Sequence, residues 1–222
     1  MYNKLSGFMY WYDRKFGRIL PYRALWPLLG CFVLNCIVYW FTQWVMAGAY
    51  HYDLTLPMDR ELPVAPWWVS IYILSYGFWA FNYILIGRQS REACYRLAFA
   101  DYISKIVCGM FFILLPTTNV RPVLGQGFWD MMLELVYKMD SPTNLFPSIH
   151  CLVSWLCVIG LRGTKVPLWY KLFSLTFAIA ICASTQFTKQ HYIVDVAGGI
   201  VLAEAAFWAS SYFVRKKRWT NG

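Results

Sequence analysis

Two histidines stand at the margins of apolar runs, each with partners at spacings that can do chemistry. His191 and Asp195 are four residues apart in the stretch 184–195, so on a helix their side chains share one face. A carboxylate held against one imidazole nitrogen fixes the tautomer and leaves the other nitrogen free as base or nucleophile. The second histidine closes Phe146-Pro147-Ser148-Ile149-His150. Proline suits the first turn of a helix, and the Ser148 and Ile149 amides would then be unpaired donors able to bind a phosphate. His150 beside that phosphate would supply a proton to a leaving oxygen. Arg121, in the polar stretch 117–144, offers paired donors to phosphate oxygens, and Lys189 lies two residues before His191. Each feature also has a plain structural reading: a His–Asp pair that ties helices together, an N-capped helix, an interfacial arginine, a surface lysine. An ionisable pair within a membrane weighs toward function, because it is costly unless used.

The elements that must position these groups are membrane helices. The 222 residues are 59% hydrophobic and 20% aromatic with only 14% charged, a composition of integral membrane proteins with aromatic belts at the interfaces. The formal charge of +9 sits in short clusters between apolar runs, a pattern that excludes a nucleic-acid face. Runs long enough to cross a bilayer fall at 26–49, 66–86, 98–116, 145–161, 168–187 and 191–213. The expected fold is therefore an all-α, integral membrane six-helix bundle forming one catalytic domain over 26–213. Before it, 1–25 mixes Lys4, Arg14, Lys15, Arg18 and Arg23 with Trp11, Tyr12 and Phe16. That stretch reads as an interfacial basic segment kept on the mature protein, not a signal peptide. After it, 214–222 reads as a basic cytoplasmic tail containing Arg215-Lys216-Lys217-Arg218.

Lysine and arginine concentrate in alternate connections: the N-terminus, the link with Arg88, Arg91 and Arg96, the link with Arg162, Lys165 and Lys171, and the tail. By the positive-inside tendency both termini are cytoplasmic, and 50–65, 117–144 and 188–190 lie outside with both histidines. The active site is thus expected at the extracytoplasmic face of a multi-pass protein of the plasma (inner) membrane. The seven cysteines lie in spans or in a cytoplasmic link and read as buried small hydrophobes, with no metal-ligand spacing and no cofactor implied, although Cys151 and Cys182 could approach each other. Asp130, Glu134 and Lys138 recur every fourth residue, as on an amphipathic helix lying on the outer surface. Asp101 with Lys105, and Glu204 with an interhelical partner, are expected to be paired.

Arg121-Pro122, Pro147-Ser148-Ile149-His150 and Ser184, His191 and Asp195 in Ser-x6-His-x3-Asp order resemble the three signature motifs of the type 2 phosphatidic acid phosphatase superfamily. The resemblance implies a metal-independent enzyme that passes a phosphoryl group through a phosphohistidine. It implies that His191 attacks phosphorus, Asp195 orients it and His150 protonates the leaving group. Arg121, Ser148 and Ser184 would then stabilise the phosphoryl oxygens, with Lys189 a further phosphate contact. The implied substrate is a membrane phospholipid or an isoprenoid or sphingolipid phosphate.

Three positions depart from the family pattern. Leu114 stands where a lysine is usual, Ile149 replaces the glycine of Pro-Ser-Gly-His, and Thr185 replaces the arginine after the serine. Fewer cations suit a less charged group, such as a phosphodiester. The ending His191-Tyr192-Ile193-Val194-Asp195 is similar to the sphingomyelin synthase and inositol phosphorylceramide synthase branch, which moves a phospho-headgroup to a lipid alcohol. A lipid phosphatase is the first expectation and that transferase the second. Two rivals come from other classes: a metal hydrolase using His150, His191 and Asp195 as a facial triad, and a non-catalytic lipid-binding or transport protein.

Overall fold

A computed structural model describes residues 2–216, so of the expected basic tail Lys217, Arg218 and the remainder to 222 lie outside the described residues. Nine α-helices occur among those residues: α1 (Tyr2–Phe16), α2 (Tyr22–Val45), α3 (Pro57–Glu61), α4 (Val69–Gln89), α5 (Arg91–Leu114), α6 (Phe128–Met139), α7 (Ile149–Gly160), α8 (Leu168–Phe187) and α9 (Ile193–Lys216). Five segments are long and apolar enough to cross a membrane: Tyr22–Val45, Pro66–Gln89, Arg91–Leu114, Leu168–Phe187 and Ile193–Arg215.

The expected fourth span differs. Over 145–161 the chain forms only the 12-residue α7, about 18 Å long against a hydrocarbon core of roughly 30 Å. The physical cause is local. The Ser148 hydroxyl accepts the Cys151 amide at 3.3 Å and starts the helix at Ile149, leaving 145–148 in an irregular connection. Most of α7 is buried, including Leu152, Leu156 and Ile159, because α4, α5, α8 and α9 pack around it. A helix surrounded by protein is apolar on every side, so by hydropathy alone it reads as a span.

Helix α5 lies at the centre, against α2, α4, α7 and α9, and the main apolar core includes Leu97, Phe112, Leu152, Leu156 and Phe207. The expected pairing of Asp101 with Lys105 is present within it: the Lys105 ammonium lies 3.2 Å from Asp101 Oδ1, which also accepts the Tyr83 hydroxyl at 2.7 Å. Both side chains are buried, where an unpaired charge would be costly.

The connections at the histidine end are tied to one another. Strands β1 (Tyr52–Asp53) and β2 (Thr117–Thr118) pair in parallel, joining the first and second long loops. The Thr117 hydroxyl accepts the amides of Leu145 and Phe146, which fixes the approach to Pro147. Buried Asp59 of α3 accepts the amides of Leu56 at 2.8 Å and Ile193 at 2.9 Å, so a loop far away in sequence caps α9. Helix α6 covers the stretch expected to be helical from Asp130, Glu134 and Lys138, carries an exposed ion pair of Lys138 with Glu134 at 2.9 Å, and packs on α4 and the 3-10 turn Pro66–Trp68.

The approach of α9 to α7 depends on Gly199. A Cβ built there would stand 2.6 Å from the Ser148 carbonyl oxygen and 3.2 Å from the Leu152 nitrogen, both backbone atoms that cannot swing aside. Gly199→Ala is therefore expected to cost about 1–3 kcal/mol by overpacking and to push the two helix starts apart. The midpoint of thermal unfolding in detergent should fall; an unchanged midpoint would contradict this packing.

Candidate active site

His191 lies in the turn between α8 and α9, outside the spans. The Thr185 carbonyl oxygen accepts both the Gln190 and the His191 amides, and the Gln186 side chain donates to the His191 carbonyl at 3.0 Å. That double hold on one helical carbonyl folds the chain back so that the imidazole meets α9. Asp195 sits in the first turn of α9, where its Oδ2 accepts the Tyr192 amide at 2.8 Å. The same oxygen lies 3.6 Å from His191 Nδ1, within ion-pair range, and Nδ1 has no hydrogen-bond partner. Burial by itself pushes the His191 imidazole down, but the Asp195 carboxylate beside it more than offsets this, and the net shift is upward from 6.5.

The start of α7 is stitched to the start of α9: the Ser148 amide donates to the Asp195 carbonyl at 3.0 Å. This corrects the expectation for that amide, which is not a free phosphate donor. The helix begins two residues after Pro147, and the first-turn amides left without intrahelical acceptors belong to Ile149 and His150. His150 comes within 5.7 Å of His191 between ring centroids. Its imidazole stacks on Tyr72 at 4.4 Å, with Trp79 at 5.2 Å, and its Nε2 is 3.4 Å from the Tyr76 hydroxyl. Aromatic walls of this kind hold the ring in one orientation and keep water from its faces.

Arg121 donates from one terminal nitrogen to the Tyr137 carbonyl at 2.7 Å and from the other to Gln190 Oε1 at 2.9 Å. Its guanidinium lies 4.4 Å from the Tyr137 ring centroid, and its Nε is buried without a partner. Burial pushes the group down from its ordinary value, although it stays charged. Through Gln190 the arginine is joined to the residue preceding His191.

The remaining expected site residues are placed differently. Ser184 is fully buried, and its hydroxyl donates back to the Ile181 carbonyl at 2.7 Å. The Lys189 ammonium donates to the carbonyls of Asp59 at 2.6 Å and Leu62 at 2.7 Å, so it grips the first long loop. Leu114 is 75% exposed. Thr185 is buried and spends its hydroxyl on Cys182. Neither replaces the cation usual at its position. All seven cysteines are free, and Glu204 is paired between helices as expected, with Arg162 at 2.7 Å and with the Trp155 indole at 2.9 Å. Among the described residues, no group of three or more His, Cys, Asp or Glu side chains is placed to hold a metal ion.

Sequence reasoning missed Gln190, Tyr76, Tyr137 and Asp140. Asp140 ends α6 and accepts hydrogen bonds from the Tyr39 and Tyr72 hydroxyls, the latter at 3.3 Å. The polar Gln190 next to a candidate nucleophile was a usable signal. The tyrosines were not distinguishable from belt aromatics, because only the helix packing turns Tyr76 toward His150 and Tyr137 toward Arg121. A family model described as the PAP2 superfamily matches residues 58–209, a range that holds every one of these site residues except Tyr39. No curated protein and no solved structure matches the chain.

Proposed function

The chain belongs to the PAP2 superfamily, the type 2 phosphatidic acid phosphatases and related phosphotransferases, and we propose that it is a lipid phosphatase acting through a phosphohistidine. It is a multi-pass membrane protein by its five long apolar segments. The substrate would be a lipid phosphate monoester or diphosphate drawn from the bilayer. The single observation that carries this reading is the meeting of His150 and His191 at 5.7 Å, with Asp195 3.6 Å from His191 Nδ1.

In this mechanism Asp195 holds His191 Nδ1, so Nε2 is the attacking atom. Nε2 forms the bond to phosphorus as the bond from phosphorus to the lipid oxygen breaks. His150 passes its proton to that departing oxygen. The same His150, now neutral, takes a proton from water, whose hydroxide attacks phosphorus and releases phosphate from His191. Arg121 and the free amides at the start of α7 would offset charge on the phosphoryl oxygens. Ser148 contributes by capping α7 and Ser184 by supporting the turn before His191. Lys189 is assigned to holding the first loop. No resident metal is invoked.

A second reading, transfer of a phospho-headgroup to a lipid alcohol in place of water, is favoured by the scarcity of cations. Leu114 and Thr185 carry no charge, and the Lys189 ammonium is spent on backbone carbonyls. A singly charged diester demands less neutralisation than a monoester. We also propose that both termini face the cytoplasm and that the histidine end faces outward from a plasma membrane, since the basic connections gather at the other end.

The deciding experiment supplies the detergent-purified protein, with a chelator present, with lipid phosphates, diphosphates and phosphodiesters, with and without diacylglycerol or ceramide. Free phosphate from the monoesters or diphosphates supports the phosphatase. A new phospholipid formed only with the added alcohol supports the transferase. No product from any substrate sinks both, and activity lost to the chelator revives a metal hydrolase.

The pH profile is a separate check. Attack requires His191 unprotonated at Nε2, and its midpoint is shifted upward, so kcat/KM should fall as pH drops through a midpoint above about 6.5. Asp195→Asn removes the charge that raises it and should move this acid limb to lower pH while slowing the reaction. A limb that stays in place in Asp195→Asn would mean that another group titrates.

A further inference from the structure

The helices that carry the histidines at one end build a second polar site at the other. A cavity of about 390 Å³ opens there between α5, the turn after α7 and the last turns of α9. Arg96, Arg162 and Arg215 line it, with Glu204 the one acidic residue in the wall among the described residues. Glu204 is committed: its two oxygens take both terminal nitrogens of Arg162, at 2.7 and 2.8 Å, and one also accepts the Trp155 indole. Two positive charges in the wall are thus left without a matching carboxylate there. Arg96 is held in place, its Nε donating to the Ser211 hydroxyl at 3.1 Å and its guanidinium lying 4.8 Å from the Phe207 ring centroid. Among the described residues its one carboxylate contact is Glu92 at 3.8 Å, a side chain more than half exposed and one turn away on α5. Arg215 has no acidic partner among the described residues.

We propose that this cavity binds the phosphate of an anionic phospholipid, as a site separate from the reacting histidines. Guanidinium groups fixed by packing present paired donors to phosphate oxygens with little further ordering, which is how arginine recognises phosphate. The rim favours a lipid as the source. Trp208 lines the cavity and is 74% exposed, at the level where amphipathic rings meet headgroups and acyl chains. The basic side of a membrane protein meets the leaflet richest in anionic lipid. Separation from the reacting site follows from α9: Asp195 and Ser211 are sixteen residues apart on it, roughly 24 Å. One headgroup cannot reach both.

The test is lipid retention by the full chain, measured by native mass spectrometry and by thermal stabilisation in neutral detergent. Phosphatidylglycerol, phosphatidylcholine and inorganic phosphate are added in separate arms. Phosphatidylglycerol should bind at least tenfold more tightly than phosphatidylcholine. Arg96→Gln/Arg215→Gln should erase that preference, whereas Lys165→Gln, an exposed cation of the same end outside the cavity, should keep it within twofold. Arg215→Gln alone, at an exposed position where folding is not at stake, should weaken phosphatidylglycerol binding severalfold. Equal loss in Lys165→Gln would reduce the effect to general surface charge and overturn the site. Full retention in the arginine variants, or equal binding of both lipids, would overturn it as well. Stabilisation by inorganic phosphate alone, with none by phosphatidylglycerol, would overturn the lipid as ligand.

Discussion

Replacing His191 with alanine is expected to lower turnover by at least about 10⁴-fold, because the proposed reaction loses the atom that bonds to phosphorus. A nucleophile differs from a positioning group in leaving no partial route. With His191 gone, neither Asp195 nor His150 can form the intermediate, so adding Asp195→Asn to His191→Ala should cost almost nothing further. That non-additivity is the mark of groups acting as one unit. The fold should survive, since the turn is held by the Thr185 carbonyl and the Gln186 side chain through backbone atoms of residue 191. Denaturing gels after rapid quenching with substrate labelled in the phosphoryl group should show label on the wild-type chain, stable to alkali and lost in acid, and none on His191→Ala. Label retained in the variant, or turnover within tenfold of wild type, would remove His191 from the role of nucleophile.

The second large effect concerns His150. His150→Gln should reduce turnover by about 10²–10⁴-fold on a lipid phosphate, whose alkoxide leaves poorly without a proton. The loss should shrink to within about tenfold on an aryl phosphate, where the leaving oxygen needs little help. His191→Ala should show no such rescue. The contrast separates acid catalysis from damage to the site, because a glutamine that merely disturbed the aromatic walls of Tyr72 and Trp79 would slow both substrates alike. Equal losses on both would assign His150 to positioning.

Much of this architecture can be read from the chain. The four-residue spacing of His191 and Asp195 announces the pair, but α9 starts only at Ile193, so the turn held by the Thr185 carbonyl, and not the helical period, brings the imidazole to the carboxylate. Long apolar runs are equally direct, and five of the six expected spans correspond to helices of spanning length. The expected fourth span, 145–161, is not among them, because hydropathy measures exclusion from water and cannot say whether lipid or protein excludes it. Helix α7 is wrapped by its neighbours, and its length is set by the Ser148 cap instead of by the bilayer.

Side-chain roles at the site were less legible. Lys189 reads as a phosphate contact because it is a cation two residues from His191. The backbone at this residue has φ of 51°, and the turn sends the ammonium to the carbonyls of Asp59 and Leu62, 130 and 127 residues away in sequence. Arg121 reads as a free clamp, yet Tyr137 and Gln190 already hold it.

The sequence by itself determined the chemistry on offer and the medium: two histidines, one carboxylate four residues from one of them, one loop arginine, and helices that must leave water. Those are local properties, set by residue type and by periods of a few residues. Only the tertiary structure decided that the histidines meet at 5.7 Å, that Gly199 lets α9 close on α7, and that Asp59 caps α9. It also decided that three arginines from separate stretches share a cavity at the far end. Those outcomes depend on contacts between residues distant in the chain, whose geometry is fixed by close packing and by the pairing of buried polar groups, neither of which leaves a periodic trace.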